Sequence, residues 1–154
     1  MEKIKGKIYG EGKRAAVVVS RCNEQVVKNL LEGATEELIR NGVEDSHITV
    51  IEVPGAWEIA GAVNKLSGSS VYDLIICLGA VIRGDTPHFE YVASQVARTV
   101  AEEGHRGSRP VSFGILTCDN IDQAIERSGG KGGNKGSEAA RAALEMTDLY
   151  RKIK

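Results

Sequence analysis

"YDLIICLGAVIRGDTPHFEYVA" occupies residues 72–93. Residues 72–80 are mostly apolar with no polar alternation, the pattern of a strand covered on both faces. Gly84 permits a tight turn after it. Thr86 is placed to cap a helix, and Pro87 suits the first helical position, where no backbone donor is needed. Phe89, Val92, Ala93, Val96, Ala97 and Val100 then recur at helical spacing and stop at Gly104. A buried strand turning straight into an amphipathic helix is half of a parallel strand–helix–strand unit.

The same unit is found on either side. "AAVVVS" (15–20) is a short β-branched run, and an apolar stripe over 24–41 (Val26, Val27, Leu30, Leu31, Ala34, Leu38, Ile39) follows it, closed by Gly42 at the cap. "HITVIEV" (47–53) predicts a strand, broken by Pro54-Gly55 before a helix over "WEIAGAVNKL". "PVSFGILT" (110–117) is the fourth strand, and Asp119 or Asn120 caps "IDQAIERS". The Gly-rich "GGKGGNKG" reads as a connector to a last helix from about Ser137. Four alternations with short loops predict a single α/β domain over residues 1–154, a four-stranded parallel sheet in a three-layer α/β/α sandwich. The segment holding Ile4 and Ile8 has no partner in such a sheet and reads either as a frayed terminus or as an edge strand that pairs with a neighbouring subunit.

Of the 154 residues, 42% are hydrophobic and 27% charged, the balance of a globular protein, and the net charge is -1. That charge predicts no general attraction to nucleic acid or to an anionic membrane, so anion binding must be local. No apolar run is long enough to span a bilayer, and the charged start lacks a signal region, so a cytoplasmic protein is expected. Cys22, Cys77 and Cys118 are too widely spaced for a zinc site or disulfide framework.

Ligands of open parallel sheets bind outside the carboxyl ends of the strands. The segments leaving those ends are "SRCNE", "VPGAWE", "GAVIRGDTPH" and "TCDN". Free N–H groups around Asp85 and Thr86, at a helix opening, make an anion pocket. His88 stands in the first turn, where the helix dipole disfavours imidazolium and leaves the neutral ring to accept a proton; a surface histidine near a cap is the plain alternative. Trp57, the one tryptophan, sits just past a strand end and suits either stacking on a heterocycle or anchoring a core or interface. Glu58 suits hydroxyl or amine binding, or simply a helix N-terminus. The "RGD" triplet at 83–85 lies between a buried strand and a helix, not on a displayed loop tip, which argues against adhesion.

Five segments together resemble the lumazine synthase family: "N-x-x-x-x-x-x-LLEGA" from 23, "VPGAWEIA" (53–60), "LGAVIRGDTPHFEYVA" (78–93), "PVSFGILT" (110–117) and "QAIERSGGKGGNKGSEAARAALEM" (123–146). The resemblance implies a flavodoxin-like fold. It implies condensation of 5-amino-6-(D-ribitylamino)uracil with 3,4-dihydroxy-2-butanone 4-phosphate to 6,7-dimethyl-8-ribityllumazine, releasing water and phosphate, without metal or organic cofactor. By position it implies that His88 transfers protons and that Asp85, Thr86 and Arg127 hold phosphate. Cys22, Asn23, Ala56, Trp57, Glu58, Ala80, Val81, Ile82, Phe113 and Lys135 match the pyrimidine and ribityl contacts. Phe113, Arg127 and Lys135 are expected to serve an adjacent subunit, which implies a homo-pentamer. The short "GGKGGNKG" resembles that of members in which twelve pentamers form an icosahedral shell, with riboflavin synthase as a possible partner.

One residue departs from the family pattern. "RCN" stands at 21–23 where the family usually has "RFN", its phenylalanine stacking on the pyrimidine. Such stacking contributes roughly 1–3 kcal/mol, so its loss weakens binding about five- to a hundredfold unless Trp57, larger than the usual phenylalanine, compensates. Cys22 therefore also motivates a second expectation, a lumazine- or flavin-binding shell protein with little turnover.

Overall fold

A computed structural model describes residues 1–107 and 109–154. Four parallel strands, β1 (Ala15–Ser20), β2 (Ile48–Val53), β3 (Leu74–Ile82) and β4 (Val111–Cys118), form one sheet in the order β2-β1-β3-β4. Helices α1 (Glu24–Arg40) and α5 (Lys135–Lys152) cover one face. Helices α2 (Ala56–Ser67) and α3 (His88–Arg106) cover the other. The short α4 (Ile121–Arg127) follows β4. The predicted three-layer α/β fold is the one observed.

Alternation along the central strands divides the core. Val17 and Val19 of β1, with Ile76 and Leu78 of β3, pack under Leu30, Leu38, Ala140 and Leu144 of α1 and α5. Ala16 and Val18, with Ile75 and Cys77, pack under Ile59, Val63, Val96 and Val100. All six residues of β1 are buried, which is why that strand reads as an unbroken apolar run.

Three glycines set helix geometry. Gly42 adopts φ 103°; its N–H donates to Ile39 O (3.0 Å) and that of Val43 to Leu38 O (3.0 Å). This paired closure, with Val43 and Leu38 both buried, is a Schellman end. Gly33 and Gly136 let α1 and α5 approach closely: a side chain at either would strike Asn134 or the Leu30 carbonyl. Asn134 fills that seam, accepting from Gly136 N (2.8 Å) and Ser137 N (3.2 Å) and donating to Asn29 O (3.0 Å).

Several boundaries differ from the sequence expectations. Thr86 does not cap α3; the cap position is Pro87, and no side chain bonds there. Glu90 N–H instead donates to Pro87 O (3.0 Å), a tightened first turn for which proline's fixed φ is already suited. Helix α3 also runs past Gly104 to Arg106, since an interior glycine costs a helix only about 1 kcal/mol and this one faces Val111 closely. Strand β3 starts at Leu74 and continues to Ile82 because its pairing with β4 extends that far. Strand β2 starts at Ile48, after a single 3-10 turn over Asp45–His47. The Gly-rich segment is not a plain connector: β5 (Ser128–Gly130) and β6 (Gly133–Asn134) pair as a small antiparallel hairpin, and α5 starts at Lys135, capped by Asn134. Of the two cap candidates for α4, Asn120 does the work, accepting from Gln123 N (2.9 Å).

The N-terminal segment joins no strand of the sheet. It lies along α5, with Gly6 buried against Glu145 and Leu149. Lys7 N–H donates to Asp148 Oδ2 (2.7 Å), Lys152 Nζ donates to Lys5 O (3.0 Å), and Gly10 N–H donates to Asn41 O (2.8 Å). The Asp148 carboxyl also meets Lys152 Nζ (2.6 Å) and Arg151 Nη2 (2.7 Å). Chiefly Lys152, then the Lys7 amide, holds its pKa down at about 2.

Candidate active site

The strand order reverses between β1 and β3, and a cleft of about 870 Å³ opens at their carboxyl ends. Each wall is set by a local device. Asn23, just before α1, holds the left-handed conformation (φ 59°, ψ 54°), tolerable for asparagine, and its Nδ2 donates to Ala80 O (3.2 Å). That bond ties the end of β1 to the wall formed by Ala80, Val81 and Ile82. Across the cleft, Gly55 and Ala56 open α2 and present Trp57 at 57% exposure, with Glu58 in the first turn. An indole this exposed is not a core anchor of its own chain. Cys22 Sγ reaches Pro54 O (3.4 Å) and lines the cleft beside Gly55. Cys22 is the exposed thiol of the three, whereas burial pushes the Cys77 thiol up to about 12 and raises that of Cys118.

His88 is the first residue of α3 and lines the cleft with Gly84 and Thr86. Asp85 lies between those two on an exposed turn. Ten sequence candidates thus line one cavity: Cys22, Asn23, Ala56, Trp57, Glu58, Ala80, Val81, Ile82, Thr86 and His88. Chemically it offers a flat aromatic surface, a carboxylate, an amide, an imidazole and the free backbone donors of a helix head. Those groups suit a polar heterocycle together with an anion.

Three candidates lie elsewhere in the chain. Phe113, 43% exposed, and Lys135 line a separate cleft of about 480 Å³ between α3, β4 and α5. There Lys135 Nζ pairs with Glu138 (2.7 Å). Arg127 ends α4, lines neither cleft, and its Nη1 donates to Gln123 O (3.1 Å). Conversely, Pro54, Phe89, Tyr91 and Val92 line the main cleft without having been singled out as contacts. Tyr91 was legible: it stands three residues after His88, hence on the same helix face, and is 68% exposed.

An open parallel sheet with a polar, aromatic-lined cleft at its switch point defines a doubly wound α/β protein that binds a small molecule. Over residues 12–151 the sequence matches the family described as 6,7-dimethyl-8-ribityllumazine synthase. The chain is 49% identical over 153 residues to proteins named 6,7-dimethyl-8-ribityllumazine synthase from two strains of Clostridium kluyveri, covering 99% of each chain. The chain belongs to the 6,7-dimethyl-8-ribityllumazine synthase family.

Proposed function

We propose that the protein condenses 5-amino-6-(D-ribitylamino)uracil with 3,4-dihydroxy-2-butanone 4-phosphate, yielding 6,7-dimethyl-8-ribityllumazine, inorganic phosphate and two waters, a step of riboflavin biosynthesis. The observation that carries this reading is the single cleft joining Trp57, Glu58 and Asn23 to His88 and the 84–87 turn. Trp57 lies against the pyrimidine, while Asn23, Glu58 and the Ala80–Ile82 backbone read its polar edge and the ribityl chain. The turn at Asp85 and Thr86 receives the phosphate. The primary amine adds to the ketone and water leaves, giving an imine. Loss of a proton from the adjacent carbon accompanies departure of phosphate. The ribityl-bearing amine then closes the ring with loss of the second water. His88, at the helix head, is the group that carries protons through these steps.

Phe113, Arg127 and Lys135 belong to this reading as residues that complete the cleft of an adjacent copy. Arginine suits the phosphate because its planar fork engages two oxygens at once. The assembly on this reading is a cytoplasmic pentamer, twelve of which form an icosahedral shell able to enclose riboflavin synthase. No metal or organic cofactor is required.

The test supplies both substrates and follows lumazine absorbance. Product formation is expected; tight lumazine or flavin binding without product would replace this reading with that of a binding shell. The shared cleft has its own test. His88→Ala and Arg127→Ala subunits, each inactive alone, should regain part of the activity when co-assembled, because some clefts then receive both wild-type residues. No recovery would place Arg127 and His88 in the same chain's site.

A further inference from the structure

Of the "RGD" triplet, Gly84 lines the cleft and Asp85 lies on the exposed turn beside it, while Arg83 stands outside. Its backbone N–H extends the β3–β4 ladder, donating to Cys118 O (2.9 Å). Its side chain makes three contacts, with residues on either side of the 84–87 turn in space. Nε donates to Asp119 Oδ1 (3.0 Å), at the end of β4. Nη1 donates to Glu90 Oε1 (3.3 Å), in the first turn of α3. Its Cζ lies 4.7 Å from the centre of the Phe89 ring.

Residues 84–88 are exposed, and among the described residues neither Asp85 nor Thr86 forms a side-chain hydrogen bond. A side chain added at Gly84 would meet nothing within 4 Å. No side chain caps α3. The turn therefore has no fastening of its own, and its position is dictated from its two ends. Arg83 is the residue that joins them, and it also ties both to β4.

We propose that Arg83 is a positioning residue: by bracing the turn between Asp119 and the Glu90–Phe89 helix head, it fixes where the backbone donors of residues 85 and 86, and the His88 ring, face the cleft. This rests on the reading of that turn as the phosphate-binding element. An arginine fits where a lysine does not, since one planar group must stack on a ring and donate in two directions. The two carboxylates engage Nε and Nη1 and hold the guanidinium between β4 and the head of α3.

The experiment compares Arg83→Met, Arg83→Lys and the double variant Glu90→Gln/Asp119→Asn in the assembled protein. It measures kcat, KM for each substrate, and amide hydrogen exchange over residues 84–91. From the sizes of exposed ion pairs and cation–π contacts, Arg83→Met should raise KM for the phosphorylated ketone about three- to thirtyfold. KM for the pyrimidine should stay within about twofold, as the Asn23 and Trp57 walls do not touch Arg83. Exchange over 84–90 should quicken several-fold, with Arg83→Lys intermediate. The carboxylate variant should reproduce most of these effects and add little to Arg83→Met. If it instead leaves KM unchanged or lower while Arg83→Met raises it, Arg83 binds phosphate directly and the proposal fails. Unchanged exchange over 84–90 overturns it as well. A wild-type protein without turnover would refute the proposed reaction, yet the exchange measurement would still decide the role of Arg83.

Discussion

Asn23 joins backbone strain to the candidate site, so its replacement gives a prediction with an internal check. Asn23→Ala loses the bond to Ala80 O, a net contribution of about 0.5–1.5 kcal/mol. It also places a side chain with no local polar compensation at φ 59°, which costs about 1–2 kcal/mol. The sum is about 1.5–3.5 kcal/mol, or a fall in Tm of about 3–14 °C for a chain this long. Asn23→Gly loses the same bond and gives the unfolded chain extra freedom but has no Cβ to strain, so its loss should be about 1–2.5 kcal/mol. Thermal unfolding at fixed protein concentration should therefore rank wild type above glycine above alanine. Helix propensity alone would instead place alanine above glycine. If glycine proves as damaging as alanine or more so, the left-handed conformation at residue 23 is not what the asparagine serves. The pyrimidine should bind more weakly to both variants, because the β1 end is no longer held to the Ala80–Ile82 wall.

His88→Ala should lower kcat by about 10²–10⁴-fold while leaving equilibrium binding of the pyrimidine nearly unchanged, as measured by single-turnover kinetics and titration; unaltered turnover would make His88 structural. Cys22→Phe should tighten pyrimidine binding by up to about a hundredfold if Trp57 does not already supply the stacking, and by little if it does; calorimetric titration separates the two. Asp148 has a lowered folded-state pKa, so its contribution is fully present above the ordinary carboxylate value of 3.8 and is lost as pH falls through about 2. The Tm gap between wild type and Asp148→Asn should accordingly shrink from pH 5 to pH 2, and a gap that widens would contradict the role of Asp148 in holding the N-terminal segment.

Much of the architecture was legible because burial on both faces leaves β1 and β3 as unbroken apolar runs, while α1 and α3 carry single stripes. The boundaries were less so. Thr86 has the right side chain for a cap, but a proline-tightened turn made that cap unnecessary, and Gly104 was outweighed by helix packing against β4. The hairpin at 128–134 was hidden because its glycines read as flexibility. In fact Gly129 and Gly133 hold positive φ, and Asn134 locks the segment against α1. The main cleft was legible because its lining comes from strand ends. The part played by Phe113, Lys135 and Arg127 was not readable from spacing, since they lie on other faces of the chain. Arg83 escaped notice because the neighbours that give it a task, Glu90 and Asp119, are brought to it only by folding.

The seam between α1 and α5 also bears on how the protein can be made. Helix α1 emerges early from the ribosome, but one of its closest partners consists of residues 135–152. Until those residues are available, Val17, Val19, Ile76 and Leu78 lack the cover of Ala140 and Leu144. A nascent or truncated chain ending before Lys135 thus carries an apolar sheet face with no roof, which is a target for chaperones and proteases. Completion comes when Asn134 slots between Gly33 and Gly136. The roof over this face of the sheet is therefore complete only once the last helix has been made.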